Sequence, residues 1–366
     1  MKRIMIVMGT RPEAIKLCPP VCELKKRGKF EVLVVSTGQH RTMLDRALAA
    51  FSVKPDYDMN VMKEGLGTAE LTARILHETD GLLQSKNPDL VLVQGDTTSA
   101  FAAALAAFHR EIPVAHVEAG LRTYHMHAPF PEEFHRQAIS LVADYHFAPT
   151  VTAKRNLIRE GKSESRVFIT GNTVVDALRI TLTEKKPATE WNIPSGYRLL
   201  LFTAHRRESI GEPLRDMLRA LRRVVESTPD VIAVFPVHPN PAVRRITAEV
   251  LAGTPRIRMI EPPETVSFHH LLARAYLVMT DSGGIQEEAS ALGIPTVVMR
   301  YSSERTEGMR AGVLKLAGCS EDGIATLAEQ LLRHDSEEYI AMRKPSAVYG
   351  DGNASARIAD ILEKLL

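Results

Sequence analysis

Short apolar runs rich in β-branched residues recur along the chain, separated by stretches whose apolar positions repeat at helical spacing. In the first half they are Ile4–Met8, Val32–Val35, Leu90–Val93, Val114–Val117, Tyr145–Phe147 and Val167–Ile169. A second series follows at Leu199–Phe202, Val231–Phe235, Ile257–Ile260, Leu277–Met279 and Thr296–Met299, with helical stretches such as Pro213–Ser227 and Pro241–Leu251 between them. Unbroken apolar runs suit strands covered on both faces, and their alternation with helices predicts βαβ units and parallel sheets. The polar segment from Lys185-Lys186-Pro187 to Ile193-Pro194-Ser195-Gly196 suits an exposed linker near 185–197. The expected fold is therefore α/β, with two doubly wound Rossmann-like domains, 1–186 and 187–350, facing a central cleft at the carboxyl ends of their strands. Tyr349-Gly350-Asp351-Gly352-Asn353 reads as a turn, and Ala354–Leu366 as a closing amphipathic helix within a final segment 351–366.

Composition narrows the function classes. The 366 residues suit two domains at roughly 150 residues each. Lys plus Arg number 46 against 44 Asp plus Glu, a net charge of +2, so no global field would gather nucleic acid or an anionic membrane. Any anionic ligand must be met locally. Three cysteines, Cys18, Cys22 and Cys319, are too few for a disulfide framework, which points to a reducing, cytoplasmic setting. Cys18 and Cys22, four apart on a helix, suit a packed core, and Ile4–Met8 is too short for a signal-peptide core or a membrane span.

The chemistry is expected in loops after strands. Gly9-Thr10-Arg11-Pro12-Glu13-Ala14-Ile15-Lys16 combines a tight turn, a proline suited to a first helical turn and two cations, and would favour a diphosphate or simply cap a helix. It is neither a P-loop nor a dinucleotide fingerprint. Asp96, in Gln94-Gly95-Asp96-Thr97-Thr98-Ser99, suits either a helix N-cap or a catalytic acid. Glu118, at the end of Val114–Val117, suits either an ion pair with Arg122 or catalysis, and Glu132, in Phe130-Pro131-Glu132-Glu133, either a helix dipole or catalysis. Acids at neighbouring strand ends push their pKa values apart, as a general acid and base require. His125-Met126-His127, with His135 nearby, lacks a third ligand at fixed spacing, so no metal is expected.

In the second half, His205-Arg206-Arg207-Glu208 follows a strand and offers cations or a surface charge run. Ser282-Gly283-Gly284 opens a helix where backbone amides can approach a phosphate closely. Glu288, a turn later, could take both hydroxyls of a ribose or remain a helix acid. Arg300 and Arg305 add guanidinium groups after the next strand.

Together, GTRPEAIKL at 9–17, TGQHR at 37–41, QGDTTS at 94–99, HVEAGLRT at 116–123, FPEE at 130–133, HRRE at 205–208, DSGGIQEE at 281–288 and YGDGNAS at 349–355 closely resemble the non-hydrolysing, bacterial type of UDP-N-acetylglucosamine 2-epimerase. The resemblance spans nearly the whole chain. It implies a GT-B type architecture with the last helix crossing back to the first domain. It implies reversible conversion of UDP-GlcNAc to UDP-ManNAc, a precursor of bacterial surface polysaccharides, by elimination of UDP to a bound 2-acetamidoglucal and re-addition, with no cofactor and no metal. A homodimer is implied too. Asp96, Glu118 and Glu132 would be the catalytic trio, with His205 grouped beside them. Arg11, Lys16, His205 and Arg305 would lie near the diphosphate, Ser282, Gly283 and Gly284 would seat it, and Glu288 would hold the ribose. Arg136 would bind substrate, and Arg206 and Phe268 would lie near the nucleoside.

Two positions depart from the family. Thr306 stands where the family usually has proline beside Arg305, removing a rigid turn. Some bacterial members are switched on by a second UDP-GlcNAc, and Thr42 replaces a glutamine of that site, although Gln39, Arg74 and His238 match it. The rival functions are a hydrolysing 2-epimerase releasing ManNAc and UDP, a GT-B glycosyltransferase, and a sugar-nucleotide sensor without turnover.

Overall fold

Apolar runs that water cannot reach on either face become the strands of two separate parallel sheets. The computed structural model describes every residue except His40, Glu64, 184–190, Asn192, His205, Arg207 and Glu208. The chain divides into two compact units, Met1–Thr181 with Gly350–Leu366, and Leu182–Tyr349. Of the expected linker, residues 185–190 and 192 lie outside the described residues.

The first unit runs β1 (Lys2–Met8), α1 (Arg11–Arg27), β2 (Phe30–Ser36), α2 (Arg41–Ala50), β3 (Tyr57–Asp58), α3 (Thr68–Lys86), β4 (Leu90–Gln94), α4 (Thr98–His109), β5 (Val114–Val117), α5 (Glu132–Val142), β6 (Tyr145–Ala148), α6 (Val151–Arg159), β7 (Val167–Ile169) and α7 (Thr173–Thr183). Among the described residues these strands form one sheet in the order β3-β2-β1-β4-β5-β6-β7. The order reverses between β1 and β4, where Ile4, Met5 and Ile6 pair with Leu90, Val91 and Leu92. Loops leaving the carboxyl ends of strands at such a reversal diverge and open a crevice.

The second unit continues with β8 (Arg198–Thr203), α8 (Glu212–Ser227), β9 (Val231–Pro236), α9 (Pro241–Leu251), β10 (Ile257–Ile260), α10 (Thr265–Ala273), β11 (Leu277–Thr280), α11 (Gly283–Leu292), β12 (Thr296–Val298), α12 (Thr306–Arg310), β13 (Leu314–Leu316), α13 (Glu321–Leu332) and α14 (Glu337–Met342). Its sheet order is β10-β9-β8-β11-β12-β13, with the reversal between β8 and β11. Both units are thus doubly wound and Rossmann-like, the expected α/β class. β3 and β13 were not among the expected strands. Both are short edge strands exposed in part, so neither needs an unbroken apolar run.

In the first unit Leu17, Cys18 and Val21 of α1 pack with Ile4, Ile6 and Met8 on one face of the sheet, and Ala100, Ala103 and Ala104 of α4 pack on Met5, Val7 and Val93 on the other. Small alanines let α4 lie close to the sheet. Gly120, at φ +90, is required by close approach, because a Cβ there would sit 2.3 Å from the Ala153 carbonyl oxygen.

After Tyr349 the chain returns to the first unit, where α15 (Ala354–Leu365) buries Ile358, Ala359 and Leu362 in the same core as α1. Its first turn is capped from another helix. Asp176 of α7 accepts the amides of Ala354 at 3.1 Å and Ser355 at 2.7 Å. Arg27 of α1 ties down the other end through Asp360 at 2.6 Å and Glu363 at 3.1 Å.

Replacing Asp176 with alanine removes both cap bonds. We expect a stability loss of about 1–3 kcal/mol in thermal unfolding, with proteolytic nicking concentrated in 354–366. Unaltered resistance of that segment would show that the helix is held without the cap.

Candidate active site

At the reversal in the first sheet, the loops after β1, β4 and β5 lie side by side because their strands are hydrogen-bonded neighbours. Asp96 lies two residues beyond the end of β4, and Glu118 directly follows β5, whose Val117 pairs with Gln94. The N-cap of α4 is Thr97, whose hydroxyl accepts the Ala100 amide at 3.0 Å, and not Asp96. Asp96 instead accepts a hydrogen bond from the buried guanidinium of Arg136, on α5.

Glu118 is buried and has φ +65, a left-handed conformation that costs on the order of 1 kcal/mol for a residue with a Cβ. Its Oε2 accepts from Gln94 Nε2 at 2.5 Å and from Lys16 Nζ. The ion pair with Arg122 is not formed. Arg122 is taken by Glu160, through Nε and Nη2 both at 2.8 Å, and by Ser140. Lys16 is itself buried, since α1 carries it under the loop. Glu132 opens α5, half-buried, and Arg136 follows one turn later on the same face. The structure thus gathers Lys16 with Glu118, and Arg136 with Asp96, while Arg11 begins α1 and is half-buried.

Several supporting residues carried no clear signal in the sequence. Glu133, fully buried, accepts the amides of Thr123 and Tyr124, each at 3.0 Å, and Gln137 Nε2 at 2.8 Å. It therefore fixes the 123–124 loop, while its neighbour Glu132 stays partly accessible. Glu13 is also fully buried; its carboxylate lies among Gly9, Thr10 and Thr97, and burial pushes its carboxyl up to about 7. His116 and His146, register partners on β5 and β6, are both buried. His116 Nε2 lies 2.7 Å from the Gly95 oxygen. His135 Nδ1 lies 2.9 Å from the Asp96 carbonyl oxygen, while His125 and His127 are exposed. Among the described residues no group of three or more His, Cys, Asp or Glu is arranged to hold a metal ion.

In the second unit the reversal places the loops after β8 and β11 together. Asp281, fully buried, accepts the Arg206 amide at 3.0 Å and the Ser209 hydroxyl at 3.3 Å, which shapes the loop after β8. His205, in that loop, lies outside the described residues. Ser282 is the N-cap of α11, and Gly283 and Gly284 form its first turn. A Cβ at Gly283 would fall 2.5 Å from the Arg305 guanidinium, so glycine there lets Arg305 lie across the helix start. Arg305 is anchored by Glu304 and, through Nε at 2.9 Å, by Glu287. Thr306 opens α12, and the loop is held without the proline because the Tyr349 hydroxyl donates to the Arg305 oxygen and accepts the Gly308 amide, both at 2.9 Å.

Glu288 is buried. Its Oε1 lies 3.5 Å from His269 Nε2, and its Oε2 has no hydrogen-bond partner among the described residues. A buried carboxylate oxygen without a donor is costly and marks a place where a ligand hydroxyl would be stabilising. Phe268 packs in the apolar cluster with Leu199, Val234 and Ile285, so its ring serves the core. Of the remaining matches, Gln39 accepts from the Ser99 hydroxyl at 2.8 Å, Arg74 is paired with Glu70 of its own helix at 2.8 Å, and His238 Nδ1 accepts the Asn240 amide at 3.2 Å. Gln39 and Arg74 are thus engaged by different partners.

The model of the family described as UDP-N-acetylglucosamine 2-epimerase matches residues 22–363. The chain belongs to this family. It is 48% identical over 360 residues to the UDP-N-acetylglucosamine 2-epimerase of Bacillus subtilis, covering 98% of this chain and 94% of that protein. Among solved structures it resembles the UDP-GlcNAc 2-epimerase of Neisseria meningitidis bound to UDP-GlcNAc, with a TM-score of 0.95, 40% identity and coverage of 99% and 100%. The Methanocaldococcus jannaschii UDP-GlcNAc 2-epimerase in complex with UDP-GlcNAc and UDP matches with a TM-score of 0.87, 32% identity and 99% coverage of both chains. The family's fold is the two-domain GT-B type.

The buried titratable groups predict opposing pH effects. Burial holds His116 down to about 4 and His146 to about 3, so both are neutral in the fold and stabilise it above about 6.5, a contribution lost as pH falls towards 4. Glu13, raised to about 7, contributes stability below about 4.5 that is lost as pH rises through 7. Thermal unfolding between pH 4 and 8 should show a shallower acid-side decline for His146→Leu and a shallower neutral-side decline for Glu13→Gln. Slopes identical to the parent would contradict these protonation states.

Proposed function

We propose that this chain interconverts UDP-GlcNAc and UDP-ManNAc without hydrolysis, through a bound 2-acetamidoglucal. The observation that carries the reading is a pair of carboxylates at neighbouring strand ends in separate surroundings, Asp96 on Arg136 and Glu118 on Lys16 and Gln94. Membership of the epimerase family supports it as well.

The hydrogen on sugar carbon 2 is not next to a carbonyl, so its simple removal as a proton is prohibitive. Elimination makes it feasible. A carboxylate takes the carbon 2 proton, the electron pair forms the carbon 1–carbon 2 double bond, and the carbon 1–oxygen bond breaks with UDP leaving as the anion. Return requires a proton delivered to the opposite face of carbon 2 and attack of the same UDP oxygen on carbon 1. No water is consumed, and atoms balance without a redox cofactor. Two acids on different faces are the minimum such an inversion needs, which is the role we assign among Asp96, Glu118 and Glu132.

The leaving diphosphate gathers negative charge in the transition state, so cations that meet it there accelerate the step. In the first unit Arg11 and Lys16 are our candidate cations; in the second, taken by itself, the α11 amides at Gly283 and Gly284 with Arg305 are our candidate phosphate seat. Glu288, with one buried oxygen lacking a donor among the described residues, is assigned to the ribose hydroxyls.

Incubation of UDP-GlcNAc with the protein in deuterated water should place deuterium at carbon 2 and yield UDP-ManNAc by proton NMR. Free ManNAc with UDP would instead establish hydrolysis, and a carbon 2 that keeps its hydrogen would falsify elimination. The variants Asp96→Asn, Glu118→Gln and Glu132→Gln should each lose roughly 100-fold or more in kcat while binding UDP within about threefold of the parent. Glu288→Gln should do the reverse, weakening UDP binding by about 10-fold through loss of the charged acceptor. A Glu288→Gln protein that binds UDP normally would remove it from the nucleotide site.

A further inference from the structure

We infer that Glu13 is a positioning residue of this reaction: its carboxylate clasps the loop after β1 to the start of α4 and so sets the register of Arg11 against Asp96. The inference rests on the epimerase reading above. Glu13 Oε2 accepts the Gly9 amide at 3.0 Å and the Thr10 hydroxyl at 2.8 Å. Its other oxygen, Oε1, accepts the Thr97 hydroxyl at 2.7 Å. Thr10 adjoins Arg11, and Thr97 adjoins Asp96, so one carboxylate links the neighbours of both.

The two loops are pressed together at this point. A Cβ on Gly9 would lie 2.1 Å from both the Ser99 and Thr37 hydroxyl oxygens, which are themselves hydrogen-bonded at 2.8 Å. Such crowding leaves Glu13 fully buried and without access to a ligand, so it acts through the residues it holds. An acid in the first turn of a helix is ordinarily explained by the dipole and remains in water. Here it is sealed in despite the expense of desolvating a carboxylate, and the geometry supplies a use for it.

An amide cannot replace the ionised carboxylate, the form present above about pH 7. Glutamine has one acceptor oxygen, and turning its amino group towards Gly9 would set two donors against each other. Turning it towards Thr97 would make that hydroxyl oxygen accept a second hydrogen bond besides the Ala100 amide, and leave its proton without the carboxylate. Either the Gly9 arm is lost, or the Thr97 contact survives only in reverse with its hydroxyl proton unpaired.

The test combines amide hydrogen exchange with kinetics on the full chain. In Glu13→Gln, exchange should rise in 96–101 as well as in 9–13, and kcat for UDP-GlcNAc should fall by about 10- to 100-fold with KM within about threefold. Thr97→Val should act similarly from the other side, Thr97→Ser should retain parental rates, and the Glu13→Gln/Thr97→Val double variant should be little worse than the poorer single one. Unchanged exchange in 96–101 would overturn the clasp. Loosened loops with parental kcat, or a Thr97→Ser as slow as Thr97→Val, would overturn the positioning role. A parent chain that neither exchanges carbon 2 hydrogen nor forms UDP-ManNAc would instead sink the epimerase reading, and the exchange data would still decide the clasp.

Discussion

A carboxylate taken out of water must be surrounded by donors, and the loops at both strand-order reversals are built around that requirement. Glu13 draws in an amide and two hydroxyls, Glu133 two amides and a glutamine side chain, and Glu118 a lysine and a glutamine side chain. In the second unit Asp281 holds the backbone of the loop after β8, and Glu304 and Glu287 hold Arg305. Each buried acid therefore dictates a loop conformation, since breaking one of its contacts leaves charge or a donor unsatisfied in a region of low dielectric. A sheet alone places strand ends; these acids turn strand ends into fixed groups of side chains.

The same requirement separates residues that hold a loop from neighbours left partly accessible. Glu132 and Glu133 are adjacent, yet the helix turns Glu133 inward to two amides and leaves Glu132 partly accessible. Asp96 and Thr97 are divided in the same way, with Thr97 committed to the helix end and to Glu13. Glu118 is the intermediate case. It is buried and its backbone is in a left-handed conformation, so its orientation is imposed by Lys16 and Gln94 and not chosen by its own chain segment. A group oriented at that expense is pre-organised, which is what the proton transfer we propose would demand.

The strands in the middle of each sheet were legible because a strand covered on both faces must be apolar throughout. β3 and β13 were not, because an edge strand answers to fewer neighbours and can carry Tyr57-Asp58 or a lysine at 315. The polar loops were legible as places of chemistry, but the partners of their acids were not. Arg122, four residues from Glu118, is the local choice for an ion pair, whereas the structure supplies Lys16 from 102 residues away. Sequence proximity favours i,i+4 pairs only within a helix, and Glu118 to Arg122 is a loop. Glu13 and Glu133 escaped notice because an acid in a first helical turn has a sufficient local reason to be there. Their second reason is tertiary and lies in Thr97, Thr123 and Tyr124. Phe268 is ambiguous in the other direction, since a ring near a nucleotide loop is as readily explained by the core it helps to fill.

With a net charge of +2, long-range attraction contributes little to binding an anionic ligand, so recognition falls to short-range geometry. The second unit shows how that geometry is kept. Arg206, Arg300 and Arg305 approach Glu304, and Arg305 also reaches Glu287, so the cations are partly neutralised by the protein's own acids. Neutralisation weakens the field at a distance but fixes the planes of the guanidinium groups, which lowers the entropy lost when a diphosphate is bound. The glycine at 283 completes the arrangement, because any side chain there would displace Arg305 from the helix start. On the proposed assignment of Arg305 to the diphosphate, selectivity over other anions depends on matching donors already in place, and a lysine at 305, with a single flexible ammonium, would keep the charge and lose the match.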